Sequence, residues 1–100
     1  MEAKAKALVI DGRDNVAVAL EDIPAGATVE ILGSEVRAVR VESAVPFAHK
    51  IALTTINAGG AVLKYGVPIG FATTGIATGE WVHEHNAKSY YAAKREAKGQ

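Results

Sequence analysis

The chain has 100 residues, with eleven basic and eleven acidic side chains, a formal net charge of zero and no cysteine. This length allows one domain, and the missing cysteines exclude disulfides, thiolate metal sites and a cysteine nucleophile. The zero net charge and the lack of a basic stripe argue against nucleic acid or a membrane as partner, and permit a homo-oligomer. No apolar run is long enough for a signal peptide or a membrane span, so we expect a cytoplasmic protein.

Short apolar segments separated by turn residues predict a mostly β fold. In chain order, segments rich in β-branched and apolar residues predict strands at 5–10, 16–20, 28–32, 35–41, 51–56, 61–65 and 69–74. The last two strands are separated by a predicted turn at 66–68. Strands and helices do not alternate, which argues against a parallel doubly wound sheet. The alanine- and lysine-rich segment 87–98 predicts a C-terminal helix, with Asn86 as its N-cap.

A short pattern recurs three times along the chain. Each copy has an isoleucine, a glycine three residues later and a valine three residues after that, and the copies begin at Ile23, Ile56 and Ile76. The isoleucine is expected to end a strand, the glycine to turn with positive φ, and the valine to start the next strand in the core. Their uneven spacing excludes a solenoid and predicts a compact fold of short strands and tight turns.

The segment 79–86 holds two of the three histidines, His83 and His85. The neighbouring Trp81 and Val82 favour a strand, on which residues two apart project from the same face. Two imidazoles on one face are suited to binding a metal, holding an anion or moving protons. A solvated edge strand without specific chemistry explains the same spacing, and the spacing alone leaves both interpretations open.

Three further positions carry candidate chemistry. His49 and Lys50 stand at a strand entrance, where they suit a carboxylate or phosphate, although by themselves they are better explained as a polar strand end at the surface. Lys64 follows an apolar run and precedes a glycine turn, so it either steadies an anionic substrate or is an exposed strand-end lysine. Gly66 and Gly70 permit close approach of another backbone, and residues 14–15 are expected to cap a turn through side-chain hydrogen bonds.

The order of four motifs resembles a known family. Residues 14–26, 48–53, 62–70 and 79–86 are similar to successive motifs of the altronate/galactarate dehydratase family, in its small N-terminal SAF-type domain. The resemblance implies a compact β-clip domain spanning residues 1–100, with a core at about 5–86 and the C-terminal helix at about 87–98. Ala48 replaces the glycine usual in the family, a mild change if its backbone has negative φ.

The resemblance also implies a function. The chain looks like the separate small subunit of a sugar-acid dehydratase, a hydro-lyase that gives a 2-keto-3-deoxy acid together with a large catalytic subunit and is inactive alone. The alternatives are the small subunit of a sulfolactate sulfo-lyase and a non-catalytic module that binds sugar acids or assists assembly. A divalent metal, iron or manganese, is expected, completed by the partner subunit. The implied residues are, as catalytic groups, His49, Lys64, His83 and His85; as substrate contacts, Lys50, Tyr65 and Asn86; and as metal ligands, His83 and His85.

Overall fold

The computed structural model describes residues 5–35 and 38–90, which form two antiparallel-rich β-sheets. The strands are β1 (Ala5–Leu8), β2 (Val16–Ala19), β3 (Thr28–Leu32), β4 (Ala38–Arg40), β5 (Lys50–Ala52), β6 (Ala61–Lys64), β7 (Val67–Ala72), β8 (Trp81–Val82) and β9 (Ala87–Ser89). One sheet has the order β4-β3-β1-β2-β5-β8, in which β1 and β3 run parallel, and the other has the order β6-β7-β9. The mostly β prediction is confirmed.

Period-2 alternation along the short strands fills two cores. On β3, for example, Val29 and Ile31 are buried between more exposed neighbours. The first core cluster includes Ile23, Val29, Val41, Val45 and Ile51. The second cluster includes Val16, Ile56, Val62, Ile76 and Val82. Strand β5 contributes to both clusters, because Ile51 and Ala52 project from opposite faces.

The repeated pattern is real, and the described residues contain four copies of it. In each copy a turn N–H donates to the carbonyl three residues earlier: Ala27 to Pro24, His49 to Pro46, Gly60 to Asn57 and Glu80 to Ala77. The residue before each donor has positive φ: Gly26 (84°), Ala48 (70°), Gly59 (84°) and Gly79 (88°). The condition for a mild replacement at Ala48 is therefore not met, because its φ is positive.

The four copies associate in pairs. Ile23 and Val45 exchange two backbone hydrogen bonds of 2.8 Å, and Ile56 and Ile76 do the same. The first pair lies in the first core cluster and the second pair in the second cluster. The chain thus builds each core around two facing copies of one local motif.

The β6–β7 hairpin turns at Tyr65 and Gly66, one position earlier than the predicted 66–68. Lys64 pairs with Val67, and the two residues between them have φ of 58° and 74°, which is typical of a type I′ turn. Asp14 is buried and accepts hydrogen bonds from the N–H groups of Tyr65 (3.1 Å) and Gly66 (2.8 Å). Asn15 accepts from the Leu63 N–H and donates to the Ala61 carbonyl. Residues 14–15 therefore cap their own turn, as predicted, since Asp14 also accepts from the Asp11 N–H at 3.2 Å, and they bind the hairpin about 50 residues away as well.

The start of the predicted C-terminal helix is wrong. Ala87–Ser89 form β9, whose residues pair with Ala72, Phe71 and Gly70 of β7. A Cβ at Gly70 would overlap the Lys88 carbonyl oxygen, so this glycine permits the close approach of β9 of the same chain. Backbone pairing with β7 outweighs the helix propensity of alanine and lysine.

Parts of two predicted elements lie outside the described residues, and one predicted strand is shorter in the structure. Residues 91–98 of the predicted helix, and residues 36–37 of the predicted strand 35–41, lie outside the described residues. The predicted strand 51–56 is replaced by Lys50–Ala52, because Ile56 opens the third turn copy. Within the described residues, no helix has the length and apolar character needed to cross a membrane.

Candidate functional site

The pairing of β5 with β8 brings the distant histidines together. Lys50 faces Val82 and Ile51 faces Trp81 in an antiparallel register, so His49 and His83 face each other one position further along. Their ring centroids are 5.0 Å apart. The strand ends at Val82, however, and residues 83–86 form a turn. The prediction that His83 and His85 share one face of a strand is therefore wrong, although both belong to the same cluster.

Trp81 lies at the centre of this cluster and contacts all three imidazoles. The His83 ring stacks on the indole at 4.9 Å with an interplanar angle of 7°, while His85 and His49 are tilted at 5.5 and 5.6 Å. The indole Nε1–H donates to His49 Nδ1 at 3.2 Å. Since an indole nitrogen only donates, a neutral His49 carries its proton on Nε2. We call these four side chains, His49, Trp81, His83 and His85, the imidazole cluster.

Asn86 and Glu80 hold the loop that carries His83. The side chain of Asn86, only 2% exposed, accepts from the His83 N–H at 3.0 Å and donates to the Trp81 carbonyl at 2.9 Å and to Glu80 Oε2 at 3.3 Å. The other Glu80 oxygen accepts from the Ala77 N–H. The predicted N-cap role of Asn86 is wrong. Its amide positions His83 by folding the 83–86 turn.

A groove of about 660 Å³ lies against the other face of the β5–β8 pair. Its apolar floor includes Val62, Ile69 and Val82, and Lys50 reaches it beside its register partner Val82. Alternation along β5 places Lys50 and His49 on opposite faces, but His83 also lines the groove and so connects it to the imidazole cluster. The remaining lining residues are Gly70, Thr73, Glu84, Ala87, Lys88 and Ser89.

Burial and the charge of Lys64 both act on the ammonium group of Lys50. Burial lowers the pKa of Lys50 below its ordinary value, and the charge of Lys64 lowers it further. Lys64 Nζ also lies 4.9 Å from the ring centroid of Tyr65, at the exposed tip of the β6–β7 hairpin. Over residues 5–35 and 38–90, the Arg13–Asp11 salt bridge lies beside the same hairpin turn, against Gly66.

The structure thus divides the predicted residues into groups. The three histidines, His49, His83 and His85, converge on Trp81. Lys50 lines the groove, and Lys64 is close enough to lower the pKa of Lys50. Tyr65 stands at the hairpin tip, and Asn86 is buried in the loop. Sequence reasoning missed Trp81 as a site residue and Lys88 as part of the groove. The signal for Trp81 was its position as the single tryptophan of the chain, between the motif histidines. Lys88 was missed because it was assigned to the predicted helix.

The histidines of this chain do not form a complete metal centre by themselves. Across the described ranges, no three His, Asp or Glu side chains are placed to hold a common metal ion. Structural and catalytic sites for zinc and similar ions use at least three protein ligands. His83 and His85 as metal ligands therefore remain a prediction that requires donors from elsewhere.

Comparisons with known proteins identify the family to which this sequence is similar. The family model of the altronate/galactarate dehydratase SAF domain matches residues 5–90. The altronate dehydratases of Escherichia coli (strain K12) and Bacillus subtilis (strain 168) are 44% and 39% identical over 80 residues, which are 80% of this chain and 16% of each relative. A (2R)-sulfolactate sulfo-lyase subunit alpha, from Paracoccus pantotrophus, is 40% identical over 45 residues, which are 45% of this chain and 67% of that subunit. The chain thus spans about one sixth of the altronate dehydratases that it matches (16%), and it belongs to the altronate/galactarate dehydratase SAF-domain family.

Proposed function

We propose that this chain is the small subunit of a sugar-acid dehydratase of the altronate/galactarate type. The reaction removes water from a 2-hydroxy carboxylate and leaves a 2-keto-3-deoxy acid. The family match over residues 5–90 carries this proposal. The chain corresponds to 16% of the altronate dehydratases, and its similarity to a short sulfo-lyase subunit supports assigning the rest of the catalytic apparatus to a large partner subunit.

The groove supplies the chemistry for a carboxylate. Lys50 is partly desolvated and close to a second ammonium, Lys64, and both effects disfavour its charged form in the free protein. A bound carboxylate reverses this, because its negative charge favours the charged form of Lys50 in the groove and reduces the repulsion from the nearby Lys64. Lys50 and Lys64 are therefore proposed to hold the substrate carboxylate and the enediolate charge that develops next to it.

The imidazole cluster supplies proton transfer. His49 presents Nε2–H, and His83 lies both in the cluster and in the groove. One imidazole in this position removes or returns the proton α to the carboxylate, and another helps the β-hydroxyl group to leave. Tyr65 and His85 complete the contacts at the seam with the large subunit, and Asn86 acts by holding His83. A divalent metal at this seam would be held by His83 and His85 together with ligands from the large subunit, and would supply Lewis-acid stabilisation of the enediolate charge.

Turnover of altronate by the complete two-subunit enzyme tests this function. We expect His83→Ala to lower kcat by about 100-fold or more, the usual contribution of a positioned general acid or base. We expect Lys50→Gln to raise KM by at least about tenfold, because a charge-assisted hydrogen bond is lost. Lys6→Gln, at an exposed lysine of β1, is the matched control and leaves both constants unchanged. This chain alone is expected to be inactive, and full turnover without the partner contradicts the two-subunit proposal.

Two alternatives have specific outcomes in the same assays. The similarity to a short sulfo-lyase subunit, of which the matched segment covers 67%, favours sulfolactate as the second candidate substrate. Release of sulfite from sulfolactate, with no product from altronate, identifies that case. Unchanged kcat in both His83→Ala and His49→Ala, with intact assembly, identifies a non-catalytic binding module instead.

A further inference from the structure

The second copy of the repeated turn differs from the other three. The positions before and at the positive-φ residue are Ala25–Gly26, Ala58–Gly59 and Thr78–Gly79 in three copies, all small. In the second copy they are Phe47 and Ala48. The Phe47 side chain is 61% exposed, the highest value among the exposed large hydrophobic residues of the described chain. Folding alone does not explain a large apolar ring in a turn that elsewhere uses small residues.

The backbone that carries the Phe47 ring is held by contacts outside the turn. Ala48 has φ of 70°, a left-handed conformation that L-residues other than glycine adopt at a free-energy cost. The Phe47 N–H donates to Asp22 Oδ1 at 2.9 Å, and the Ala48 N–H donates to the Ala19 carbonyl at 2.8 Å. The backbone under the ring is thus fixed from both sides, which reduces the entropy lost when the ring is bound.

The surroundings of Phe47 define the chemistry of its partner. The hydrogen bonds of Ala48 and His49 to Ala19 place the turn at the end of β2, which is followed by the exposed residues Leu20, Glu21 and Asp22. The patch therefore combines apolar side chains with an acidic flank. It also runs directly into the imidazole cluster through His49, two residues after Phe47.

We propose that Phe47 anchors this domain on the large dehydratase subunit by inserting into an apolar pocket with a basic rim. This inference rests on the proposed function, because it takes the large subunit as the occupant. The share of the altronate dehydratases that this chain covers, 16%, leaves most of the enzyme available as the complementary surface. A buried aromatic anchor at the centre of an interface commonly provides much of its binding energy. Docking at Phe47 brings the large subunit against His49 and so closes the site.

Affinity between the full chain and the separately produced large subunit, measured by calorimetry without substrate, tests the anchor. We expect Phe47→Ala to weaken binding about 30-fold or more. Ile10→Ala is the matched control, because Ile10 is also an exposed apolar residue (48%) but lies outside the patch. It is expected to change affinity less than twofold. Glu21→Gln is expected to weaken binding a few-fold at low salt and not at high salt, as a screened charge contact does.

The remaining outcomes separate this proposal from the proposed function. His83→Ala is expected to bind the large subunit normally although it lowers kcat by about 100-fold or more, so a failed activity assay leaves the docking test intact. Equal affinities for Phe47→Ala and Ile10→Ala, with unchanged thermal unfolding of both variants, overturn the anchor. A dimer of this chain that Phe47→Ala converts to a monomer in sedimentation overturns it as well, because the occupant is then a second copy.

Discussion

The two turns beside the proposed site residues share one unusual feature and differ in how it is supported. Ala48 and Tyr65 are the non-glycine residues with positive φ among those described, and they adjoin His49 and Lys64 respectively. An aspartate accepts a backbone N–H in each turn, Asp22 at Phe47 and Asp14 at Tyr65. Asp14 is buried and accepts three N–H groups, including that of Asp11, whereas Asp22 is exposed and accepts one. The hairpin turn is therefore held by a buried side chain, whereas the Ala48 turn is held by backbone hydrogen bonds to β2 and by one exposed side chain.

The surroundings of Gly66 strengthen the hairpin side of this comparison. A Cβ at Gly66 would contact the side chains of Asp11 and Arg13. These two form the salt bridge near the turn at 3.0 Å, and the hydrogen bonds from Arg13 lower the pKa of Asp11 to about 2. The hairpin thus packs against a loop that is itself ordered by charge.

The largest expected difference concerns the two aspartates. Asp14→Ala leaves three partly buried N–H groups without their acceptor, so we expect it to lower the free energy of unfolding by about 3 kcal/mol. Asp22→Ala removes one exposed hydrogen bond and is expected to lower it by less than about 1 kcal/mol. Urea unfolding of both variants measures the difference. Asp14→Asn, which keeps one acceptor oxygen, is expected to fall between them, and equal losses for the two alanine variants contradict the comparison.

Sequence reasoning reached the local features of this fold better than its long-range contacts. The β3 bounds at Thr28–Leu32 and three turn copies were predictable, because apolar alternation and glycine spacing are local signals. The second copy in chain order was missed because the pattern required glycine where Ala48 stands. Its other signals were present, since Val45 and Ile51 occupy the aliphatic positions and Pro46 matches Pro24 of the first copy.

The site was predictable in its members and not in its arrangement. The motif histidines do meet, but His49 comes from the β5 side and His83 and His85 follow β8. The sequence does not specify the β5–β8 register that brings them together. The 83–86 turn depends on the side chain of Asn86, and the β9 strand depends on pairing with β7. Both are tertiary contacts that override local preference, so a strand was predicted where a turn lies and a helix where a strand begins.

A glycine of the repeat measures the cost of the Ala48 conformation directly. A Cβ added at Gly59 meets no atom within 4 Å, so Gly59→Ala changes only the backbone preference. We expect a loss of about 1–2 kcal/mol in the free energy of unfolding, the cost of a left-handed conformation for an L-residue. Gly26→Ala, at an equally open position, is the replicate. Gly79 is unsuitable, because a Cβ there would overlap the Arg40 carbonyl oxygen. Unchanged stability of both open variants removes the argument that Ala48 is strained.

The reverse change, Ala48→Gly, has the smallest expected effect on stability and the opposite sign. Relief of the left-handed strain is partly offset by the larger entropy of glycine in the unfolded chain, so we expect a net gain of about 0.5–1 kcal/mol. For a domain of this size that raises the melting temperature by roughly 2–8 °C. The same variant is expected to bind the large subunit about threefold more weakly, because a glycine beside Phe47 gives up part of the preorganisation of the anchor. If Ala48→Gly gains stability without losing affinity for the large subunit, the strained conformation of Ala48 does not contribute to docking.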